Sequence, residues 1–322
     1  MEKSFIIVTD STADFEQGFS SPYIRILNTP VSIGNDDYTD ATPDEFYDKQ
    51  RETFERNKKM KESGSYPIQI KTSSPEIGCI QDALEDILKS GKDAIYATMA
   101  STLSSTFVAA ARIAVEDIND SGKYENRAIC IDTLTMSAAG NMLLKEAVLN
   151  CDTTEEVLKF IFERRNDVVH SFATEDLEAF RGSGRYSDAT LALARFIGIK
   201  PFMMFDFNES GERKAFCYKK ARSVKQLCVA MAKNLIETID KKVCIVLHAQ
   251  NLPAAKTLVE TLKRMVPDLK IITGENYRMS PAVGVHLGYS AFGLIFMRKP
   301  GICEGAEVHR TIQTMEESVF GF

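Results

Sequence analysis

The sequence predicts a two-domain α/β protein, with an N-terminal domain on a parallel sheet and a C-terminal domain on a mixed sheet. Three observations carry this prediction. In the first half, short apolar runs ending in polar turns alternate with helical patterns, as in strand–helix–strand units. In the second half, two apolar runs at 203–207 and 214–218 flank Asn208-Glu209-Ser210-Gly211, a turn-rich loop that reads as a hairpin and brings in antiparallel pairing. Finally, 322 residues exceed one ordinary core and suit about two domains.

Taken in order, the first strand is expected at 4–8, and its apolar run stops at Asp10, releasing Thr9, Asp10, Ser11 and Thr12 into a turn. Further strands are expected at 93–99 and 127–131, and helices at 44–56, 76–89, 105–119 and 134–150. Thr42-Pro43-Asp44-Glu45 opens its helix with a cap, a proline in the first turn and two acids at the positive end of the dipole. Residues 57–66, charged and carrying Gly64 and two serines, are expected to bulge at the surface. A helix at 154–166 leads to a strand at 168–173, so the boundary is placed between 160 and 175, dividing the chain into 1–167 and 168–322. Helices at 224–239 and 253–265 and strands at 243–248, 270–274 and 291–297 complete the mixed sheet, and the tail from Lys299 reads as an appendage.

The composition, 44% hydrophobic and 26% charged without a low-complexity tract, is that of a globular chain. A formal charge of −6 argues against a general nucleic-acid surface, and no DNA or RNA partner is expected. No apolar stretch approaches the roughly 18 residues of a membrane span, and Met1-Glu2-Lys3-Ser4 runs straight into the first strand, so a cytoplasmic location is expected. Seven widely spaced cysteines, an odd number, suggest reduced structural thiols. None matches a zinc spacing, and no metal or cofactor is expected.

Chemistry is expected beyond the carboxyl ends of the strands of a parallel sheet. Asp10-Ser11-Thr12 lies at such an end. Lys71-Thr72-Ser73-Ser74-Pro75 precedes a helix, and Ala100-Ser101-Thr102-Leu103-Ser104-Ser105-Thr106 follows a strand and opens another. Hydroxyls and free N–H groups at a helix start make an anion site, although each turn alone could equally be an ordinary cap. Together they suggest a polar pocket. Arg185, in Arg181-Gly182-Ser183-Gly184-Arg185, can grip a carboxylate or phosphate through two parallel bonds. In 280–288, Gly284 and Gly288 let backbone pass close to a ligand, and His286 between them is one of only four histidines.

These clusters, in this order, resemble the DegV family of bacterial proteins, which includes the fatty-acid-binding subunits of fatty acid kinase. The matching pieces are VTDSTAD at 8–14, TSSPEIG at 72–78, ASTLSSTF at 100–107, SGRYS at 183–187, HAQN at 248–251 and PAVGVHLGYSAFGLIF at 281–296. The resemblance covers about 4–297. It implies a long-chain fatty acid buried between two α/β domains, its carboxylate held by Thr72, Ser101 and His286, with Arg185 nearby and Ser73 and Thr102 adjacent. It also implies a separate kinase subunit that phosphorylates the presented carboxylate to an acyl phosphate. Asp10, Ser11 and Thr12 then become support for the head-group pocket, with Asp10 turned into protein hydrogen bonds. The chain departs from the family pattern at Thr102 and Ser105, where glycines are usual, which makes that turn bulkier.

Phe196, Phe202, Met203, Met279 and Phe292 are candidate tunnel residues, although each could be plain core. Other readings remain: a small-molecule sensor, a phosphatase using Asp10, or a serine hydrolase using Ser101 with His286. The phosphatase chemistry wants a second aspartate where Thr12 stands, and the hydrolase lacks Gly-x-Ser-x-Gly. No P-loop is present, so the chain is expected to be a carrier without catalysis of its own.

Overall fold

The computed structural model of the chain describes residues 2–175, 177, 179, 199–207, 213–275 and 277–300. The first half contains β1 (Phe5–Asp10), a one-turn 3-10 helix (Ser11–Ala13), β2 (Ile24–Leu27), β3 (Val31–Ile33), β4 (Asp36–Asp37), α1 (Pro43–Glu62) and β5 (Ile70–Thr72). It continues with α2 (Ile77–Lys89), β6 (Asp93–Thr98), α3 (Ser105–Asp120), β7 (Ala128–Asp132), α4 (Ala138–Asn150) and α5 (Thr154–Arg164). Strands β2-β1-β6-β7 form a wholly parallel sheet, with Ile7 beside Ile24 and Phe5 beside Asp93. All six residues of β6 are buried, as a strand covered on both faces requires.

The second half contains β8 (Val168–Ala173), β9 (Lys200–Phe207), β10 (Arg213–Ala221), α6 (Val224–Thr238), β11 (Ile239–His248), α7 (Leu252–Met265), β12 (Lys270–Ile272), α8 (Pro281–Leu287) and β13 (Phe292–Arg298). Its sheet runs β10-β9-β8-β13-β11-β12 and is antiparallel except for the β11–β12 pair. The expected hairpin is present as β9 and β10, with Phe207 opposite Arg213; its connecting residues 208–212 lie outside the described residues, as does 301–322 of the tail.

Several boundaries differ from expectation. Strand β1 runs on to Asp10, so the carboxylate ends the strand itself. Helix α1 continues through Glu62 where a surface bulge was expected: Lys58, Lys59, Met60, Lys61 and Glu62 are good helix formers, and the helix closes where the Ser63 N–H donates to Lys59 O. Helix α4 starts at Ala138, because Leu134 (φ 50°) and Ser137 (φ 54°) hold the preceding turn in left-handed backbone. Strand β11 begins at Ile239, with an irregular pairing against β13 before Cys244. Strand β2 and the small antiparallel sheet β4-β3-β5 were not expected, since strands of two to four residues are too short to show a period.

Side-chain alternation divides the mixed sheet into two faces. Phe202, Met204, Phe292, Leu294 and Phe296 pack with Leu227 and Met231 of α6 and Leu258 of α7. Phe202 and Phe292 are therefore core on the face away from the parallel sheet. Met203, Phe205, Leu247, Ile295 and Met279 belong instead to the cluster that holds Phe5, Ile7 and Ile95 of the parallel sheet, with Leu143 and Leu144 of α4 among them. Phe196 lies outside the described residues.

The second tie between the halves is α8, which lies on α1. A Cβ built on Gly284 would sit 2.4 Å from the Tyr47 ring. The Tyr47 hydroxyl donates to Met279 O at 3.0 Å, and Gln50 Nε2 donates to Gly284 O at 2.8 Å. Helix propensity alone favours alanine over glycine by about 1 kcal/mol. Because the ring cannot give way, Gly284→Ala is expected to destabilise the protein by about 1–3 kcal/mol in urea denaturation. In a Tyr47→Ala background the same substitution should cost nothing, and an equal cost in both backgrounds would contradict the contact.

Candidate functional site

Elements from both halves converge on one narrow cleft, part of it open to solvent. Its wall is apolar: Met99, Leu103, Phe107, Met136, Ala215, Ala282, Val283 and Leu287. Five polar side chains edge it: Thr12 after β1, Thr72 at the end of β5, Ser104 before α3, Ser137 before α4, and His286 in the last turn of α8. An apolar wall with a few convergent polar groups suits a ligand with an apolar body and one polar end.

Thr72 Oγ1 and His286 Nε2 lie 3.1 Å apart, 214 residues apart in sequence. Either a neutral imidazole or an imidazolium can make this bond, and in the charged form His286 is a donor suited to an anion. The helix end carrying it is favourable for a cation.

The turn after β1 is built inward. Asp10 is fully buried and accepts from Thr12 N at 2.9 Å and Thr29 Oγ1 at 3.3 Å, while Ser11 Oγ accepts from Thr29 N at 3.0 Å. Burial pushes the Asp10 carboxyl above its usual range, against the hydrogen bonds that lower it. Held this way through Oδ1, Asp10 organises the loop and is not among the residues lining the cleft.

A second carboxylate, Asp14, links three segments. It is buried in left-handed backbone (φ 45°), accepts from Ser280 N at 2.7 Å and from Ser137 Oγ, and its own carbonyl accepts from Asn141 Nδ2 at 3.1 Å. Ser280 caps α8, and Ser137 stands before α4 with φ 54° and ψ −151°. Such backbone costs a non-glycine residue on the order of 1–3 kcal/mol and persists where surroundings enforce it. Burial pushes the Asp14 carboxyl up to about 7, despite its bonds from Ser137 and Ser280.

Of the residues singled out in the sequence, Thr12, Thr72 and His286 meet at the cleft. The second hydroxyl turn reaches it through Leu103 and Ser104. Ser101 instead directs its N–H to Asp132 Oδ2 at 3.2 Å, and Thr102 is exposed. Ser73 is also exposed, its N–H donating to Pro30 O. Gly284 turns its bare α-carbon to Tyr47, so its small size serves helix packing and not passage of a ligand. Arg185 lies outside the described residues. Sequence reasoning flagged the turn that holds Ser104 but chose Ser101 and Thr102 from it, and it assigned no role to Ser137 or Asp14. Ser137 follows β7 and opens a helix, the same strand–turn–helix placement that flagged the other clusters, and Asp14 is the second acid of the opening motif.

Comparison with known proteins gives a consistent picture. A family model described as "uncharacterised protein, DegV family" matches residues 4–299. A DegV domain-containing protein of Clostridium perfringens is 27% identical over 307 residues, covering 92% of this chain and 98% of that protein. Protein DegV of Bacillus subtilis is 25% identical, covering 91% and 99%. Among solved structures, a DegV family protein from Thermus thermophilus described by its fatty acid binding has a TM-score of 0.74 at 19% identity, covering 92% of this chain and 100% of that one. A DegV family protein from Eubacterium eligens loaded with heptadecanoic acid has a TM-score of 0.71 at 15% identity, with coverage of 92% and 100%. At these identities the structural likeness establishes the two-domain α/β fold.

The position of Asp14 has a consequence for stability. Its carboxyl titrates near 7 in the folded chain and near 3.8 when unfolded. Between those values the folded state holds a proton that the unfolded chain releases, so stability falls as pH rises from about 4 to 7 and stays lower above. At about 1.4 kcal/mol for each tenfold change in proton affinity, the loss is a few kcal/mol. Asp14→Asn is expected to remove this slope and to melt above the unsubstituted protein at pH 8 but not at pH 4. Thermal melts at the two pH values check it; the same difference at both would refute the assignment.

Proposed function

Because the chain belongs to the DegV family, we propose that it binds a long-chain fatty acid, with the acyl tail along the apolar wall and the carboxylate at the polar edge of the cleft. The observation that carries this reading is the Thr72–His286 pair at the polar edge of a mostly apolar cleft assembled from both halves. Arg185, Ser101 and Ser73 complete the head-group set in this proposal, Arg185 as a charged donor and the serines as neighbouring hydroxyls.

The division of labour is physical. Burial of each methylene stabilises by about 0.8 kcal/mol, so a tail of ordinary length supplies on the order of 10 kcal/mol before ordering costs. A buried carboxylate left without donors would cancel much of that gain. The tail thus supplies affinity, and Thr72 with His286 supplies orientation.

The protein would act as a cytoplasmic carrier, without a cofactor, that presents the carboxylate to a separate ATP-dependent kinase subunit for conversion to an acyl phosphate. Among the described residues no helix is long and apolar enough to cross a membrane. The buried, hydrogen-bonded Asp10 and the placement of Ser101 beside Asp132 give no support to a phosphatase or a serine hydrolase.

Mass spectrometry of material released by denaturing the purified protein is expected to find a long-chain fatty acid. Delipidated protein should rebind one, and Thr72→Val and His286→Ala should each weaken binding by roughly 10- to 100-fold, as for loss of a bond to a charged group. Failure to take up any long-chain acid would sink the binding claim. Absence of hydroxylamine-trappable acyl phosphate with ATP and every kinase subunit of the same cell would sink the partnership alone.

A further inference from the structure

We infer that Ser137 and Asp14 form an additional head-group site, in which Asp14 takes up a proton when a carboxylate ligand binds and Ser137 hands its own hydrogen to that ligand. The inference rests on the fatty-acid reading and adds to it a binding residue, Ser137, and a proton linkage.

Ser137 is one of the residues in the wall of the cleft, and it is fully buried there. In the ligand-free arrangement its hydroxyl donates to Asp14, and a hydroxyl has one hydrogen to give. It therefore has only lone pairs to offer a carboxylate in the cleft. The conflict is resolved by one proton on Asp14. The protonated Oδ2 then donates to Ser137 Oγ, Ser137 donates to the ligand carboxylate, and Asp14 Oδ1 continues to accept from Ser280 N. The proton comes from solvent, and the charge removed from Asp14 is the one that would repel the incoming anion.

Two further observations favour a site here. Ser137 is held in backbone that only glycine adopts freely, and such strain clusters at ligand sites. The Asp14 carboxyl sits near 7, within reach of a modest ligand-induced change. The titratable groups on the elements packed around it are Tyr47 of α1, Asp10 at the end of β1, Glu16 paired with Lys145 of α4, Arg278 before α8, and His286 on α8. The test must separate Asp14 from His286, the imidazole at the same cleft.

Asp14→Asn is the informative variant, since an asparagine with Oδ1 toward Ser280 N and Nδ2 toward Ser137 Oγ reproduces the protonated carboxyl while His286 is untouched. The probe is dodecanoic acid at monomeric concentration, ionised throughout pH 6–8, measured by calorimetry in phosphate and in Tris to count protons. The unsubstituted protein is expected to bind about tenfold more weakly at pH 8 than at pH 6 and to take up close to one proton at pH 8. Asp14→Asn should bind about tenfold more tightly than the unsubstituted protein at pH 8, with most of the pH slope and proton uptake gone. Ser137→Ala, a smaller change, should weaken binding and also lose the slope.

If the unsubstituted protein shows no proton uptake, or either variant retains its full slope, the Ser137–Asp14 assignment is overturned while fatty-acid binding stands. If the unsubstituted protein binds no long-chain acid at any pH, the fatty-acid reading itself fails.

Discussion

The docking of α8 against the N-terminal half is the contact on which the rest of the structure depends. Seven residues from late in the chain lie on α1, held by the Tyr47 ring against the bare α-carbon of Gly284, by Gln50 on a helix carbonyl, and by Asp14 on the N–H of the capping Ser280. Ridge-and-groove packing at this distance tolerates no Cβ. That contact brings His286 to Thr72 and closes one wall of the cleft with Ala282, Val283 and Leu287. Without it the polar edge would lack its histidine.

The opening motif contains two buried carboxylates that do different work. Asp10 is held through one oxygen, by Thr12 of its own turn and by Thr29 of the next loop, and so shapes that corner of the chain. Asp14 is satisfied at long range, by Ser137 and by Ser280, and so joins segments that local forces would not hold together. Both are pushed toward the neutral form by burial. Keeping such a group is destabilising near neutral pH, and its retention is understandable if the cleft needs it.

Much of the fold was legible because strong periodicity survives tertiary context. The helices over 77–89, 105–120 and 224–238 and the strand Val168–Ala173 appear close to where their patterns place them. Short strands did not show, since β3, β4 and β5 are too brief for a period and owe their pairing to one another and to α8, which packs on β3 and β5. The bulge expected over 57–66 is helix as far as Glu62 for a related reason: charge marks a surface but not a loop, and lysine, methionine and glutamate continue an exposed helix readily.

At the site, the sequence by itself determined which turns carry hydroxyls, that His286 and Thr72 are of the right chemistry, and which family those motifs resemble. Only the tertiary structure decided which hydroxyl of each turn faces the cleft, turning Ser104 inward and leaving Thr102 exposed, and it alone revealed that Gly284 serves Tyr47. The reason is one of range. Residue type and strand–turn–helix order are local properties written in consecutive residues, whereas side-chain direction at a turn and the partner of a bare glycine depend on elements up to 237 positions away, brought close only by packing of the folded chain.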